Sequence, residues 1–293
     1  MIQLFGYKHM KSDYHYYSDW FHIIRPVTLT ASIMPVTVGT LLAAQLTDFS
    51  ITLYITLLIT SVLIQAAVNM LNDYFDFMKG QEEGKWHDVS SSNSHFTPLY
   101  SQVPFVSLSI VAVVSLLTLW LASESSYWII PLGISGFILG YHYSAGIHSL
   151  SSLGLGEIAG AICLGPLPFI IAILVHGVPF SWEMLLHSLP FAILMGTMVL
   201  TNNIRDIKKD SSTRKTVAIR IGKKKAVYLL TGLLALTYIS SLLIYASLWI
   251  LLSLPLAVTL IHRFYQKEGA NPMEIAAKHH MLHSTAIILS IIL

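Results

Sequence analysis

Charge is what this sequence has least of. Only 11% of its 293 residues are Asp, Glu, Lys or Arg, against 54% hydrophobic. A soluble globular protein carries about 25% charged residues, so a water-soluble fold is excluded and a polytopic membrane protein is expected. Cysteine is nearly absent as well: Cys163 stands alone, which rules out a disulfide within the chain and leaves the compartment open. The stretch from Met1 to Trp20 lacks an uninterrupted apolar run, so no cleaved signal peptide is expected. A net charge of only +2 gives no reason to expect a nucleic-acid partner.

What the chain does have is long apolar windows. About 20 residues suffice to span a bilayer, and nine windows qualify, near 22–46, 51–77, 102–122, 127–143, 154–176, 183–206, 226–245, 247–265 and 273–293. The fold class expected is therefore all-α, a polytopic bundle of nine transmembrane helices. No linker divides it, so residues 1–293 read as a single domain. Under this reading all 17 basic residues fall on one side of the lipid bilayer, from Lys8, Lys11 and Arg25 to Arg263, Lys267 and Lys278. The opposite loops carry only acids such as Asp48, Glu124 and Glu183. An excess of Lys and Arg marks the cytoplasmic side, which places the N-terminus inside and the C-terminus outside a cell membrane. Residues 79–101, polar and with Ser90 to Ser92 in a run, read as a loop or lid.

Two windows close on clustered acids and amides. The first ends Asn69-Met70-Leu71-Asn72-Asp73-Tyr74-Phe75-Asp76; the second ends Asn202-Asn203-Ile204-Arg205-Asp206-Ile207-Lys208-Lys209-Asp210. On a helix Asn69, Asp73 and Asp76 share one face, as do Asn202, Asp206 and Asp210. An Asp at the centre of a spanning helix costs roughly 2.5–3.5 kcal/mol, so two such clusters need compensation, most simply by a bound cation. Carboxylate and amide oxygens are hard ligands suited to Mg²⁺, which keeps waters and commonly bridges to phosphates. Lys79 and Arg205 interleave with the acids, and that mixture suits a Mg²⁺–diphosphate better than a bare cation path. A diphosphate presented inside a membrane implies a lipid tail, hence an isoprenoid diphosphate. A cation-coupled transporter is the rival from another class, since intramembrane carboxylates also bind protons or Na⁺.

At these residues the sequence resembles the UbiA superfamily of intramembrane prenyltransferases. Asn72-Asp73-Tyr74-Phe75-Asp76 matches its first Asp-rich motif and Asp206-Ile207-Lys208-Lys209-Asp210 its second. Further matches to its 1,4-dihydroxy-2-naphthoate branch, which serves menaquinone synthesis, are Lys79-Gly80, Arg25-Pro26, Thr28-Leu29, Tyr143-Ser144-Ala145-Gly146, Gly154-Leu155-Gly156-Glu157 and Gly165-Pro166. The resemblance runs from about Arg25 to Gly222. It departs at Gly80, where many members carry a third Asp, and at Glu82, where the branch tends to have Asp. Residues 211–216 also lack a Gly and are one residue short.

The resemblance implies a Mg²⁺-dependent transfer of a polyprenyl group from its diphosphate to an aromatic acceptor. Metal would be held by Asn69, Asn72, Asp73, Asp76, Asp206 and Asp210, the four aspartates being catalytic. Lys79, Arg205 and Lys215 would bind the diphosphate. Arg25, Tyr141, Tyr143 and Glu157 would form the acceptor and allylic-cation pocket. Other acceptors of the superfamily stay open: 4-hydroxybenzoate, homogentisate, haem B, chlorophyllide or a glycerol phosphate.

Plainer roles compete. Tyr141 and Tyr143 also suit an interfacial aromatic belt; Arg25 also suits an anchor for the first span. The lysines after Arg205 also set topology or attract anionic lipid. His279 and His283 share a helix face, but packing or hydrogen bonding is expected of them before metal ligation. Gly133, Gly136 and Gly140 suit close helix packing.

Overall fold

The computed structural model of the chain describes residues 14–88, 97–146, 148–266, 269 and 271–293. Lys8, Lys11, Lys267 and Ser90 to Ser92 lie outside them. The described chain is mostly helical, with one departure from the all-α expectation. Strands β1 (Tyr14–Tyr16) and β2 (Trp86–Asp88) pair antiparallel, Tyr14 opposite Asp88 and Tyr16 opposite Trp86. Part of the segment expected as an irregular loop is thus a strand. Its cause is aromatic burial: Tyr16 and Trp86 are sealed in a cluster with Met70, Tyr100 and Val103. Their rings stack edge-on 5.2 Å apart.

The first apolar window is broken. Helix α1 (Trp20–Ile23) passes through a 3-10 turn (Pro26–Thr28) into α2 (Thr30–Ala43), with a bend of 49°. Arg25 lies in the left-handed region at φ 57°, where a β-carbon is crowded, and Pro26 disfavours a helical residue before it. The next helix, α3 (Ile51–Met78), satisfies the carbonyls this break exposes. Asn69 Nδ2 donates to Ile24 O and Gln65 Nε2 to Thr28 O, each at 2.8 Å.

With 28 residues, α3 is ~42 Å long against a hydrocarbon core of about 30 Å. Its last turns, which carry Asn72, Asp73 and Asp76, therefore extend toward the interface. The chain then turns at Gly80, whose φ of 75° is open to glycine without strain.

Helices α4 (Val103–Glu124) and α5 (Ile129–Ser144) follow. Next come α6 (Gly156–Leu164) and α7 (Pro166–Val175), divided at Gly165-Pro166. After them α8 (Trp182–His187) and α9 (Leu189–Arg205) are divided at Ser188, just before Pro190. Two short helices, α10 (Ile207–Asp210) and α11 (Val217–Ile221), lead to α12 (Lys223–Tyr245). A 3-10 stretch (Leu248–Ser253) runs into α13 (Leu254–Arg263), and α14 (Pro272–Ile292) ends the bundle.

Among the described residues six helical stretches are long and apolar enough to cross a membrane, or seven with the bent pair. That falls short of the nine expected, because α5 has 16 residues and Leu248–Arg263 is also short. Phe105, Leu116 and Leu243 are 75%, 68% and 80% exposed; water would not tolerate so much apolar surface, whereas lipid does. The protein is a multi-pass membrane protein. Helix approach is close at Gly140, where an added β-carbon would come within 3.1 Å of Val68 Cγ2.

Candidate active site

The site is built where α3 ends and the α9–α10 turn meets it. Asp73 is fully buried, and its two oxygens are shared among three donors. Oδ1 accepts from Lys85 Nζ at 3.0 Å and from the Arg25 guanidinium, while Oδ2 accepts from the Tyr16 hydroxyl at 2.9 Å. Without these partners the buried carboxylate would cost several kcal/mol. Burial pulls the Lys85 ammonium below its ordinary pKa, and neighbouring Arg25 adds to the effect.

Asp76, one turn on, is also buried. Its Oδ1 lies 3.3 Å from Lys79 Nζ and its Oδ2 lies 2.7 Å from Arg214 Nη2. Lys79 reaches further, to Ser144 O at 2.8 Å. Arg214 donates from Nε and Nη2 to Gln81 Oε1, at 2.8 and 2.6 Å, and stands 3.6 Å from Asp210. Burial pushes the Asp210 carboxyl above its usual range, and Asp206 adds to the shift. Arg205 grips Asp206 with two nitrogens, at 2.8 and 2.6 Å, and holds Asn202 Oδ1 at 2.8 Å. Lys209 pairs with Glu82 at 2.7 Å, tying the turn after α3 to the second motif. Burial favours the neutral Glu82 acid, but Lys85 and Lys209 outweigh it and hold the carboxyl below its usual range.

Four aspartates are thus interleaved with five cations: Arg25, Lys79, Lys85, Arg205 and Arg214. The cluster is neutralised by its own side chains, with one positive charge in excess. A metal cation entering alone would meet that excess; a metal entering with a polyvalent anion would not.

Beneath the cluster lies a cavity of about 520 Å³. Arg25, Asn69, Asn72, Tyr143 and Asn202 line its polar end, and Leu57, Val114, Leu121 and Ile129 its apolar end. From Asn72 back to Leu57 is ~22 Å along the helix axis.

The structure sorts the residues singled out from sequence. Asn69, Asn72, Asp73, Asp76, Asp206 and Asp210 come to one end of the bundle with Arg25, Lys79 and Arg205. Asn69 also has a structural task, since its amide nitrogen bonds Ile24 O. Tyr143 lines the cavity; Tyr141 does not, being 38% exposed with its ring against Phe75 at 5.4 Å. Glu157 accepts from Asn203 Nδ2 at 2.8 Å, behind the cavity wall, and its Oε2 is buried without a partner. Lys215 is exposed and its backbone N–H bonds Ser152 O; its neighbour Arg214 occupies the site instead. The one-residue shortening of 211–216 was the available signal for that change of phase. Tyr16, Gln81 and Lys85 were missed, and no local pattern marks them. His279 and His283 are engaged in hydrogen bonding: His279 Nε2 meets the Tyr238 hydroxyl, and both ring nitrogens of His283 are used, on Ser241 and Ser253, each at 2.9 Å.

The donor set fits a hard divalent ion that arrives with its substrate. Among the described residues no three His, Cys, Asp or Glu side chains converge on one point, so there is no all-protein cage. Mg²⁺ commonly uses one or two carboxylates and fills its shell with water and substrate phosphate. Asp76 Oδ1 is sealed from solvent, and its nearest charged partner is the Lys79 ammonium at 3.3 Å; such an ion would compete with Lys79 for this oxygen.

Comparison with known proteins agrees with this architecture. A family model described as the UbiA prenyltransferase family matches residues 32–285. A 1,4-dihydroxy-2-naphthoate octaprenyltransferase of Bacillus subtilis (strain 168) is 32% identical over 264 residues, covering 87% of this chain and 85% of the relative. An enzyme of the same name from Escherichia coli (strain K12) is 29% identical over 255 residues, covering 82% of each. Among solved structures, a UbiA homolog from Archaeoglobus fulgidus bound to GPP and Mg²⁺ superposes with a TM-score of 0.64. It is 16% identical and covers 93% of this chain and 98% of that one, a likeness of fold. With its paired acidic motifs at the mouth of an apolar cavity and a family match over most of its length, the chain belongs to the UbiA prenyltransferase family.

Proposed function

We propose that this protein transfers a polyprenyl group from a polyprenyl diphosphate to 1,4-dihydroxy-2-naphthoate, with loss of the acceptor's carboxylate, giving demethylmenaquinone. The observation that carries this reading is the excess of cations over aspartates at the polar end of an otherwise apolar cavity. That arrangement suits an anionic head on a hydrocarbon tail. The acceptor is assigned from the relatives' names together with the Arg25 guanidinium on the cavity wall.

In this reading Asp73, Asp76, Asp206 and Asp210, with Asn69 and Asn72, would hold Mg²⁺. When bound, the metal neutralises charge developing on the leaving diphosphate. Lys79, Arg205 and Arg214 grip the diphosphate oxygens, with Arg214 taking the role first expected of Lys215. Substrate entry exchanges partners: Asp76 gives up the Arg214 contact as Arg214 turns to phosphate. The apolar walls exclude water while the carbon–oxygen bond of the ester breaks, and Tyr143 presents a ring face to the allylic cation. Arg25 holds the acceptor carboxylate, and Glu157 fixes Asn203 and so the end of α9.

The same reading keeps residues 1–293 as one domain with nine crossings, N-terminus and active site cytoplasmic, C-terminus outside. The stretch Leu248–Arg263 reaches farther than its length implies, since 3-10 helix rises about 2.0 Å per residue. A bare-cation transporter is disfavoured by the five cations facing its path.

The deciding experiment supplies the purified protein in liposomes with one labelled polyprenyl diphosphate and each acceptor in turn, and identifies products by mass spectrometry. A prenylated, decarboxylated naphthoquinol supports the reading. Activity on 4-hydroxybenzoate alone overturns the acceptor. Cation uptake that needs Asp73 but no prenyl diphosphate overturns the enzyme.

A further inference from the structure

Gly80 and Gln81 close α3 in a defined way. Gly80 N–H bonds Phe77 O at 2.9 Å and Gln81 N–H bonds Asp76 O at 2.8 Å, the pair of bonds that ends a helix on a left-handed glycine. An apolar contact frequently fills the two positions that the longer bond joins. Here those positions are Asp76 and Gln81, and both are buried. The cap thus sets an amide beside a carboxylate of the first acidic motif.

What the two side chains share is Arg214, 133 residues beyond Gln81 in the chain. Its Nε and Nη2 both donate to Gln81 Oε1, at 2.8 and 2.6 Å, and Nη2 also meets Asp76 Oδ2 at 2.7 Å. Nη1 stands 3.6 Å from Asp210 Oδ2, beyond hydrogen-bond reach. One edge of the guanidinium is therefore pinned by a neutral oxygen, while Nη1 keeps donor capacity on the side of the second motif. The partners differ in charge. Asp76 and Asp210 are carboxylates assigned above to Mg²⁺, so each has another claimant when metal and substrate are bound; Gln81 is an amide and belongs to Arg214 alone. A hydrogen bond between two ionised groups is roughly twice as strong as a neutral one. A carboxylate in place of Gln81 would hold the guanidinium against the pull of a phosphate, whereas an amide orients it and leaves its charge unspent.

We propose that Gln81 is a positioning residue for Arg214. It holds the Nε–Nη2 edge throughout turnover, so that Nη1, and the Nη2 proton that Asp76 gives up, are presented to the diphosphate. Gln81 itself touches no substrate atom. This assignment rests on the function proposed above, and within it on Arg214 as a diphosphate ligand.

The test is a double-mutant cycle on binding rather than turnover. Dissociation constants for a non-reactive prenyl thiodiphosphate are measured with Mg²⁺ in the natural protein, Gln81→Leu, Arg214→Ala and the double variant, each checked for folding by gel filtration in detergent. Gln81→Leu should weaken binding about threefold to tenfold, the scale of one lost hydrogen bond. In the Arg214→Ala background the same change should matter by less than about twofold, because the group it positions is gone. Gln81→Glu keeps the shape and both hydrogen bonds but adds a negative charge, and should also weaken binding; a residue that only closed α3 would tolerate it. Natural affinity in either Gln81 variant, or an equal loss with and without Arg214, overturns the positioning role. A natural protein that does not bind the thiodiphosphate, or an Arg214→Ala variant that binds it as tightly as the natural protein, overturns the functional reading instead.

Discussion

Arg214 Nη2 lies 2.7 Å from Asp76 Oδ2, and the same guanidinium stands 3.6 Å from Asp210. One side chain therefore links the end of the first acidic motif to the end of the second, putting both on one face of the membrane. A single diphosphate with its metals can bridge groups that one guanidinium already spans.

Arg214→Ala should raise KM for the prenyl diphosphate by about tenfold to a hundredfold, as expected for a lost hydrogen bond to a charged group. Lys215→Ala should change it by less than about twofold, because its exposed side chain is screened by water. Steady-state kinetics on the two variants, side by side, decide between neighbouring residues. Equal effects would contradict the geometry.

Asp73→Asn and Asp206→Asn should each lower kcat/KM by more than about a hundredfold, the scale for removing a group that stabilises developing charge. EDTA should stop the natural enzyme, and added Mg²⁺ should restore it. Gel filtration in detergent checks that the variants remain folded, which matters for Asp73 because Asn leaves Arg25 and Lys85 without their counter-charge. Near-normal turnover in either variant would remove the metal assignment.

Tyr16, on the small sheet beside the end of α3, bonds Asp73 directly. Tyr16→Phe deletes one hydrogen bond to Asp73 and should lower kcat/KM about threefold to tenfold, with melting temperature little altered. Trp86→Ala removes a buried anchor, 3% exposed, and should cost about 3–5 kcal/mol locally. Hydrogen exchange should then rise in Tyr14–Tyr16 and at Tyr100 before it rises in α9. Uniform exchange across the bundle would mean the cap is no separate unit.

Orientation is open to labelling with a membrane-impermeant maleimide in a Cys163→Ser background. Ser212→Cys should react only from the cytoplasmic side and Ser123→Cys only from outside. Labelling of both from the same side would break the nine-crossing arrangement.

Much of this was legible in sequence because it depends on local composition. The window 51–77 became Ile51–Met78 and the window 273–293 became Pro272–Ile292; hydropathy fixes such ends because lipid rejects unpaired polar backbone. The acidic clusters announced themselves by being costly where they stand. The break at Arg25 was half visible in Pro26, but its stabilisation by Gln65 and Asn69 was not. Of the nine windows, six or seven became helices of spanning length among the described residues, since apolarity does not report where a helix shortens or tightens to 3-10.

By itself the sequence determined that this chain lives in a bilayer, and that two helix ends carry oxygen ligands and cations in alternation. Only the tertiary structure decided which cation serves which carboxylate, that a strand from the N-terminal segment closes over Asp73, and that Arg214 rather than Lys215 reaches the site. Hydropathy and helical period are properties of neighbouring residues, whereas an ion pair between distant loops depends on how the bundle packs. A phase change of one residue in a turn redirects a side chain, and no composition records it.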